Sequence, residues 1–138
     1  MKFSIHLNPS LEASTLLKKP IDFDEINTIS IYRTIDEKID IVYSVDQLDY
    51  GYYPSHILTA LGDLNGEWES VCRRQTHKIS LSGYPVLKLV FDSPRFAHFV
   101  SLESAESIGE SISADCIETE FARATSAVWD YVKRKCHS

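Results

Sequence analysis

Cysteine and glycine are both scarce in this chain of 138 residues, and their scarcity narrows its chemistry. Cys72, Cys116 and Cys136 form an odd set without a CxxC spacing, which excludes a disulfide scaffold and fits a reducing compartment. Five scattered glycines cannot build a loop that cradles phosphate, and no GxGxxG or GxSxG pattern occurs. His6, His56, His77, His98 and His137 never fall four apart with an acid between, so there is no HExxH and no paired Cys/His set. No metal, cofactor or catalytic residue is expected. Long apolar runs are absent too: none approaches the ~20 residues that cross a bilayer. The opening MKFSIHLNPS is too short in its apolar part and too polar for a signal peptide. No membrane association is expected, and the cytoplasm is the expected compartment. Positive charge is the last deficit. A net charge of −6 disfavours direct nucleic-acid binding, which needs a basic face to neutralise phosphates.

What is present suffices for one core. With 43% hydrophobic and 11% aromatic residues, residues 1–138 read as a single ordered domain needing no staple. The charge is uneven. Residues 22–71 hold eleven acids and two bases, a balance of −9, whereas residues 72–98 hold five bases and one acid, a balance of +4. Such asymmetry is the pattern of an acidic surface that meets a basic partner, or of a solvated face that keeps the chain soluble.

The first residues, KFSIHL, alternate Phe3, Ile5 and Leu7 with polar neighbours, the period of a half-buried strand. A helix over NPSLEASTLLKK follows, with Asn8 as cap and Pro9 in its first turn. Residues 26–34 and 39–46 are β-branched runs around IDEK and read as a hairpin, with Ile39, Ile41, Tyr43 and Val45 inward and Asp40, Ser44 and Asp46 outward. SHILTALG reads as a short helix from Ser55 to Gly62, DLNG as a turn, and EWESVCRRQTHK as a strand on which Glu67 and Glu69 share a face. KISLSGYPVLKLVF is a strand broken near Gly83 and Pro85, and RFAHFVSL is another, with His98 on the face of Phe96 and Val100. SAESIGES has a weak helical pattern. In DCIETEFARATSAVWDYVKRKC, Ile117, Phe121, Ala124, Val128, Tyr131 and Val132 line one helix face, and Asp115 with Glu118 has the form of a capping box. These elements predict an α+β fold: a mostly antiparallel sheet of five or six strands with a long C-terminal helix packed on one face.

The most unusual stretch is DQLDYGYYPSH, residues 46–56. Tyrosine carries a large ring with a polar tip and orders at low entropic cost, so it concentrates at interfaces. Gly51 permits a left-handed turn and Pro54 holds Tyr53 extended. Tyr50, Tyr52 and Tyr53 exceed what one core face takes, so one or two rings are expected outward, framed by Asp46, Asp49 and Asp63, with Pro54 and His56 at the border.

The run from Asp49 through Tyr52, Tyr53 and Pro54 resembles the Asp/Tyr-Tyr-Pro contact segment of immunity proteins that neutralise nuclease colicins. Those proteins are helical bundles, so the resemblance implies shared interface chemistry rather than a shared fold. It implies that the two tyrosines anchor a cationic toxin, with acids around them. The leading expectation is therefore a small acidic bacterial immunity protein that occludes a cationic protein toxin, with a nuclease as the model case. The alternatives are a phage-type antagonist, a small-ligand domain or enzyme with a pocket on the open sheet face using His56 or His77 beside a carboxylate, and a subunit that dimerises through a sheet edge.

Overall fold

Phe3 and Ile5 face inward and His6 faces solvent on the first strand, so the period of two in KFSIHL is the observed one. The computed structural model describes residues 3–8, 38–81 and 84–136. Two antiparallel sheets and two helices make the fold α+β. The first sheet has the order β1-β2-β3, from β1 (Phe3–Asn8), β2 (Lys38–Val45) and β3 (Leu48–His56). Helix α1 (Ile57–Cys72) follows. The second sheet has the order β4-β5-β6-β7, from β4 (His77–Leu81), β5 (Tyr84–Phe91), β6 (Phe96–Ser101) and β7 (Ser107–Ser113), and α2 (Ala114–Cys136) ends the chain of elements. The described residues thus hold seven strands, divided between two sheets where a single sheet was expected. The helix read over residues 9–19 and the strand read over 26–34 lie outside the described residues.

One core joins both sheets and both helices. The Phe3 ring stacks on Phe99 of β6 with centroids 4.7 Å apart and lies 5.6 Å from Phe121 of α2, so these three rings bridge three elements. Stacked and tilted pairs of this kind add about 0.5–1.5 kcal/mol each beyond the area they bury. Helix α2 buries Ile117, Phe121, Ala124, Val128 and Tyr131, as their spacing predicts, and packs on α1, β1 and β7. No helix of the described residues is long and apolar enough to cross a membrane.

Four local expectations are corrected. Helix α1 runs through Gly62 and Gly66 to Cys72, because Ile57, Ala60, Leu64 and Val71 keep one buried face in helical register. Each glycine costs about 1 kcal/mol against alanine there, less than that face returns. EWESVC is therefore helical, and Glu67 and Glu69 point to different partners: His77 for the first, Arg73 for the second. SIGES lies on β7, where Gly109 takes φ 67° inside an irregularity opposite β6, a job that suits glycine better than a helix does. Ser44 is buried at 7% exposure, as is Val42, because β2 is the middle strand and both its faces are covered. On β6 the inward residues are Ala97 and Phe99, so Phe96 and His98 face outward, and His98 Nδ1 meets Asp92 Oδ2 at 2.8 Å.

Where a strand broken near Gly83 and Pro85 was expected, β4 and β5 pair antiparallel with Leu81 opposite Tyr84, and Gly83 lies outside the described residues. Pro85 sits on β5 opposite Ser80, beyond the Leu87–Phe91 stretch that pairs with β6, so its missing N–H costs no bond to that neighbour.

Candidate functional site

DQLDYGYYPSH forms a hairpin turn followed by β3, which stands at the edge of the first sheet among the described residues. Asp46 and Gln47 occupy the turn with φ 52° and 69°, and Val45 pairs with Leu48 across it. Two consecutive left-handed residues make a type I′ turn, whose twist matches that of the flanking strands. This geometry projects the tip outward. Asp46, Gln47, Leu48 and Asp49 are all exposed, and Leu48 is the most exposed large apolar side chain described, at 56%. Leu48 lies between Asp46 and Asp49 in sequence, and on β3 it shares the face of Val45 whereas Asp49 shares that of Ser44.

The remaining segment divides. Tyr50 pairs with Tyr43, packs against the core, and burial raises its hydroxyl pKa. Gly51 takes φ 78° where the register slips between Ile41 and Tyr43, so it forms a bulge that re-aims the strand. The Tyr52 and Tyr53 backbones lie on β3, the latter opposite Ile41; their side chains are outside the described part of the structure. Pro54 is exposed and pairs with Asp40, in keeping with an edge strand. His56 caps α1, its Nδ1 accepting from Leu58 N at 3.2 Å. Asp63 lies on α1 and is half-buried; its charge acts on Tyr43, so it belongs to the interior and not to the tip. Burial first, then Glu67 and Asp63, drives the Tyr43 hydroxyl far above the ordinary tyrosine range. The structure thus gathers Asp46 and Asp49 at one tip, adds Leu48 between them, and strings the other predicted residues along β3 and into α1.

The basic stretch CRRQTHK meets internal carboxylates. Arg74 ends α1 with φ 55°, its N–H bonded to Val71 O at 2.9 Å and Gln75 N–H to Ser70 O at 3.0 Å, the pair of bonds that defines a Schellman cap. Its guanidinium donates to Val71 O at 2.8 Å, Glu118 Oε1 at 3.0 Å, Asp115 Oδ1 at 2.9 Å and Pro94 O at 3.0 Å. Asp115 and Glu118 therefore serve Arg74 from the first turn of α2 in place of the expected capping box. His77 Nδ1 donates to Gln75 O at 2.6 Å while Nε2 faces Glu67 Oε2 at 2.5 Å, so the imidazolium is the form that satisfies both acceptors. Burial pulls the His77 pKa down, but the Glu67 and Gln75 bonds outweigh it and raise the value above the ordinary one. With side chains 15% and 12% exposed, His77 and Glu67 tie β4 to α1 and do not open onto a substrate surface. Cys72 is exposed at the helix end, yet partial desolvation and then Glu118 raise its pKa, the opposite of what activates a thiol.

The outer edge of β1 carries two features that were not anticipated. Ile5 N–H donates to Glu120 Oε1 at 3.2 Å and Ile5 O accepts from Arg123 Nη2 at 2.5 Å, so an ion pair on α2 replaces a neighbouring strand. Burial disfavours the Glu120 charge, but Arg123 and the Ile5 N–H hold its carboxyl below the ordinary range. Ser4 Oγ and His6 Nε2 lie 2.9 Å apart on the outward face of β1, a neighbour relation legible from their spacing of two. Among the described residues no group of three His, Cys, Asp or Glu side chains could hold a metal ion. No protein-family model matches the chain, and no curated protein or solved structure matches it.

Proposed function

We propose that this chain is an acidic binding protein that docks on a cationic partner protein through its β2–β3 hairpin and blocks it, as an immunity protein blocks a nuclease toxin. The observation that carries this reading is the tip itself: Leu48, 56% exposed, follows a two-residue turn with exposed Asp46 and Asp49 on either side of it in sequence. Leucine supplies apolar area to desolvate, the carboxylates select and steer a positive surface, and the two-residue turn fixes all three before contact, which limits the entropy lost on binding. Tyr52 and Tyr53, further along β3, extend the contact as aromatic anchors in this reading. A net charge of −6 adds long-range attraction for a basic protein.

The test is affinity capture from cells that express the chain with the genes beside its own, followed by binding kinetics with the captured protein. The expected partner is basic, and its association rate falls steeply as salt rises. Asp46→Lys with Asp49→Lys is expected to slow association at low salt by roughly tenfold or more, as charge reversal does where steering dominates. Tyr52→Ala with Tyr53→Ala is expected to act on dissociation. An acidic partner, or a basic one that binds the lysine variant at the wild-type rate, defeats the hairpin assignment.

A further inference from the structure

Both tryptophans of the chain, Trp68 on α1 and Trp129 on α2, line one cavity of about 520 Å³ between the two helices. That volume lies within the roughly 300–1,000 Å³ typical of small-molecule sites. Among the described residues no ionisable side chain lines this cavity, and the nearest cation given is the half-exposed Lys133, whose Nζ lies 5.4 Å from the Trp129 ring centroid. A cationic ligand would find no carboxylate among the described lining residues, and an anionic one only an exposed ammonium already beside Asp130, so the lining favours a neutral ligand. The rim is apolar and open to water: Leu58 is 49% and Trp129 47% exposed. Gly62 also lines it, and a Cβ there would meet nothing within 4 Å, so the helix gives up propensity at a point where open space lies beside it.

The wall holds one unanswered polar group. Thr125 is 4% exposed, and its hydroxyl is shut off from solvent with no hydrogen-bond partner among the described residues. A buried hydroxyl without a partner is costly, and because Thr125 lies in the wall of this cavity, a ligand that draws its side chain to a new rotamer would relieve that cost. Two indole rings in one wall favour a flat aromatic ligand, and Asn65 stands in the same wall to share the polar contact. We propose that the α1–α2 cavity is a binding site for a neutral, planar aromatic small molecule bearing one hydrogen-bonding group. The site is separate from the hairpin tip and stands or falls independently of it.

Because the chain has no other tryptophan, its indole emission reports this cavity directly. N-phenyl-naphthylamine, neutral and aromatic with one N–H donor, is the probe. Titration of the full chain is expected to quench that emission saturably at one probe per chain. Gly62→Leu keeps a helix-compatible residue while filling the open space, and is expected to weaken the probe roughly tenfold, about 1.4 kcal/mol. Thr125→Val, which preserves shape but removes the hydroxyl, is expected to weaken it less. Circular dichroism of each variant verifies that the fold is retained. The proposal is overturned by quenching that never saturates, by Gly62→Leu binding like wild type, or by anionic anilinonaphthalene sulfonate binding as tightly as the neutral probe. It is overturned equally if light scattering shows a dimer whose formation excludes the probe, since a second copy would then be the occupant.

Discussion

Gln47 and Arg74 hold the same left-handed backbone, with φ 69° and 55°, at two turns that join elements of this fold. That conformation costs an L residue about 1–2 kcal/mol at each position. What holds each residue there differs. Arg74 is 22% exposed in its side chain and binds carbonyls at the end of α1 and in the β5–β6 turn together with two carboxylates of α2, so strain at one residue secures three segments. Gln47 is exposed at a hairpin tip, and its conformation is imposed by the two-residue connection between β2 and β3. The charged neighbours differ as well: Arg73 and His77 beside Arg74 pair with Glu69 and Glu67, whereas Asp46 and Asp49 are exposed at the tip. Similar backbone geometry thus joins three segments in one turn and forms an exposed hairpin tip in the other.

Glycine substitution separates the two. Arg74→Gly relieves the backbone but removes every guanidinium bond, each worth about 1.5–3 kcal/mol where charge is involved and less toward the well-exposed Asp115. The net expectation is a loss of about 2 kcal/mol in urea unfolding, and Arg74→Ala, which keeps the strain as well, loses about 3 kcal/mol. Wild-type stability in Arg74→Gly would mean that the junction is held by packing alone.

Next in size is the pair beside it. His77 binds its proton more tightly folded than unfolded, so the stability it supplies is complete below the ordinary imidazole value of 6.5 and is lost as pH rises through the folded value. Glu67→Gln removes the charge that holds the proton. It is expected to cost about 1–2 kcal/mol at pH 6 and distinctly less at pH 8, flattening the wild-type decline. Thermal unfolding across that range decides the matter, and a parallel offset at both pH values would show that His77 stays neutral throughout.

The junction was the part of the fold least legible in the sequence, and the reason is local. Gly62 and Gly66 resemble punctuation, and reading them so turned the last two turns of α1 into a strand; the buried set Ile57, Ala60, Leu64 and Val71 was present but interrupted to the eye. Arg74 in a left-handed cap has no sequence signal, because glycine is the residue that marks such positions. By contrast β1, β2 and the buried face of α2 follow directly from their periods, since each presents one continuous apolar face to one core. The division into two sheets was hidden because it depends on pairings such as Phe3 with Val45, across a long stretch of sequence. At the tip Asp46 and Asp49 were expected outward and are exposed, whereas Leu48 was not singled out: one leucine among polar residues reads as ordinary until its exposure is known.

Gln47→Gly is the smallest expected effect and the clearest test of the contrast. Glycine adopts φ 69° without the Cβ conflict, and an aspartate followed by glycine is a favoured pair for this turn type. Against this, glycine gains freedom in the unfolded chain, which returns part of the advantage. A net gain of about 0.5 kcal/mol is expected, with the sign opposite to that of Arg74→Gly. Binding to the partner should be retained, because Leu48, Asp46 and Asp49 keep their positions on a turn that is now easier to form. If Gln47→Gly destabilises the fold, the glutamine side chain makes contacts that fix the tip, and the hairpin is then held by its own side chains as the junction is.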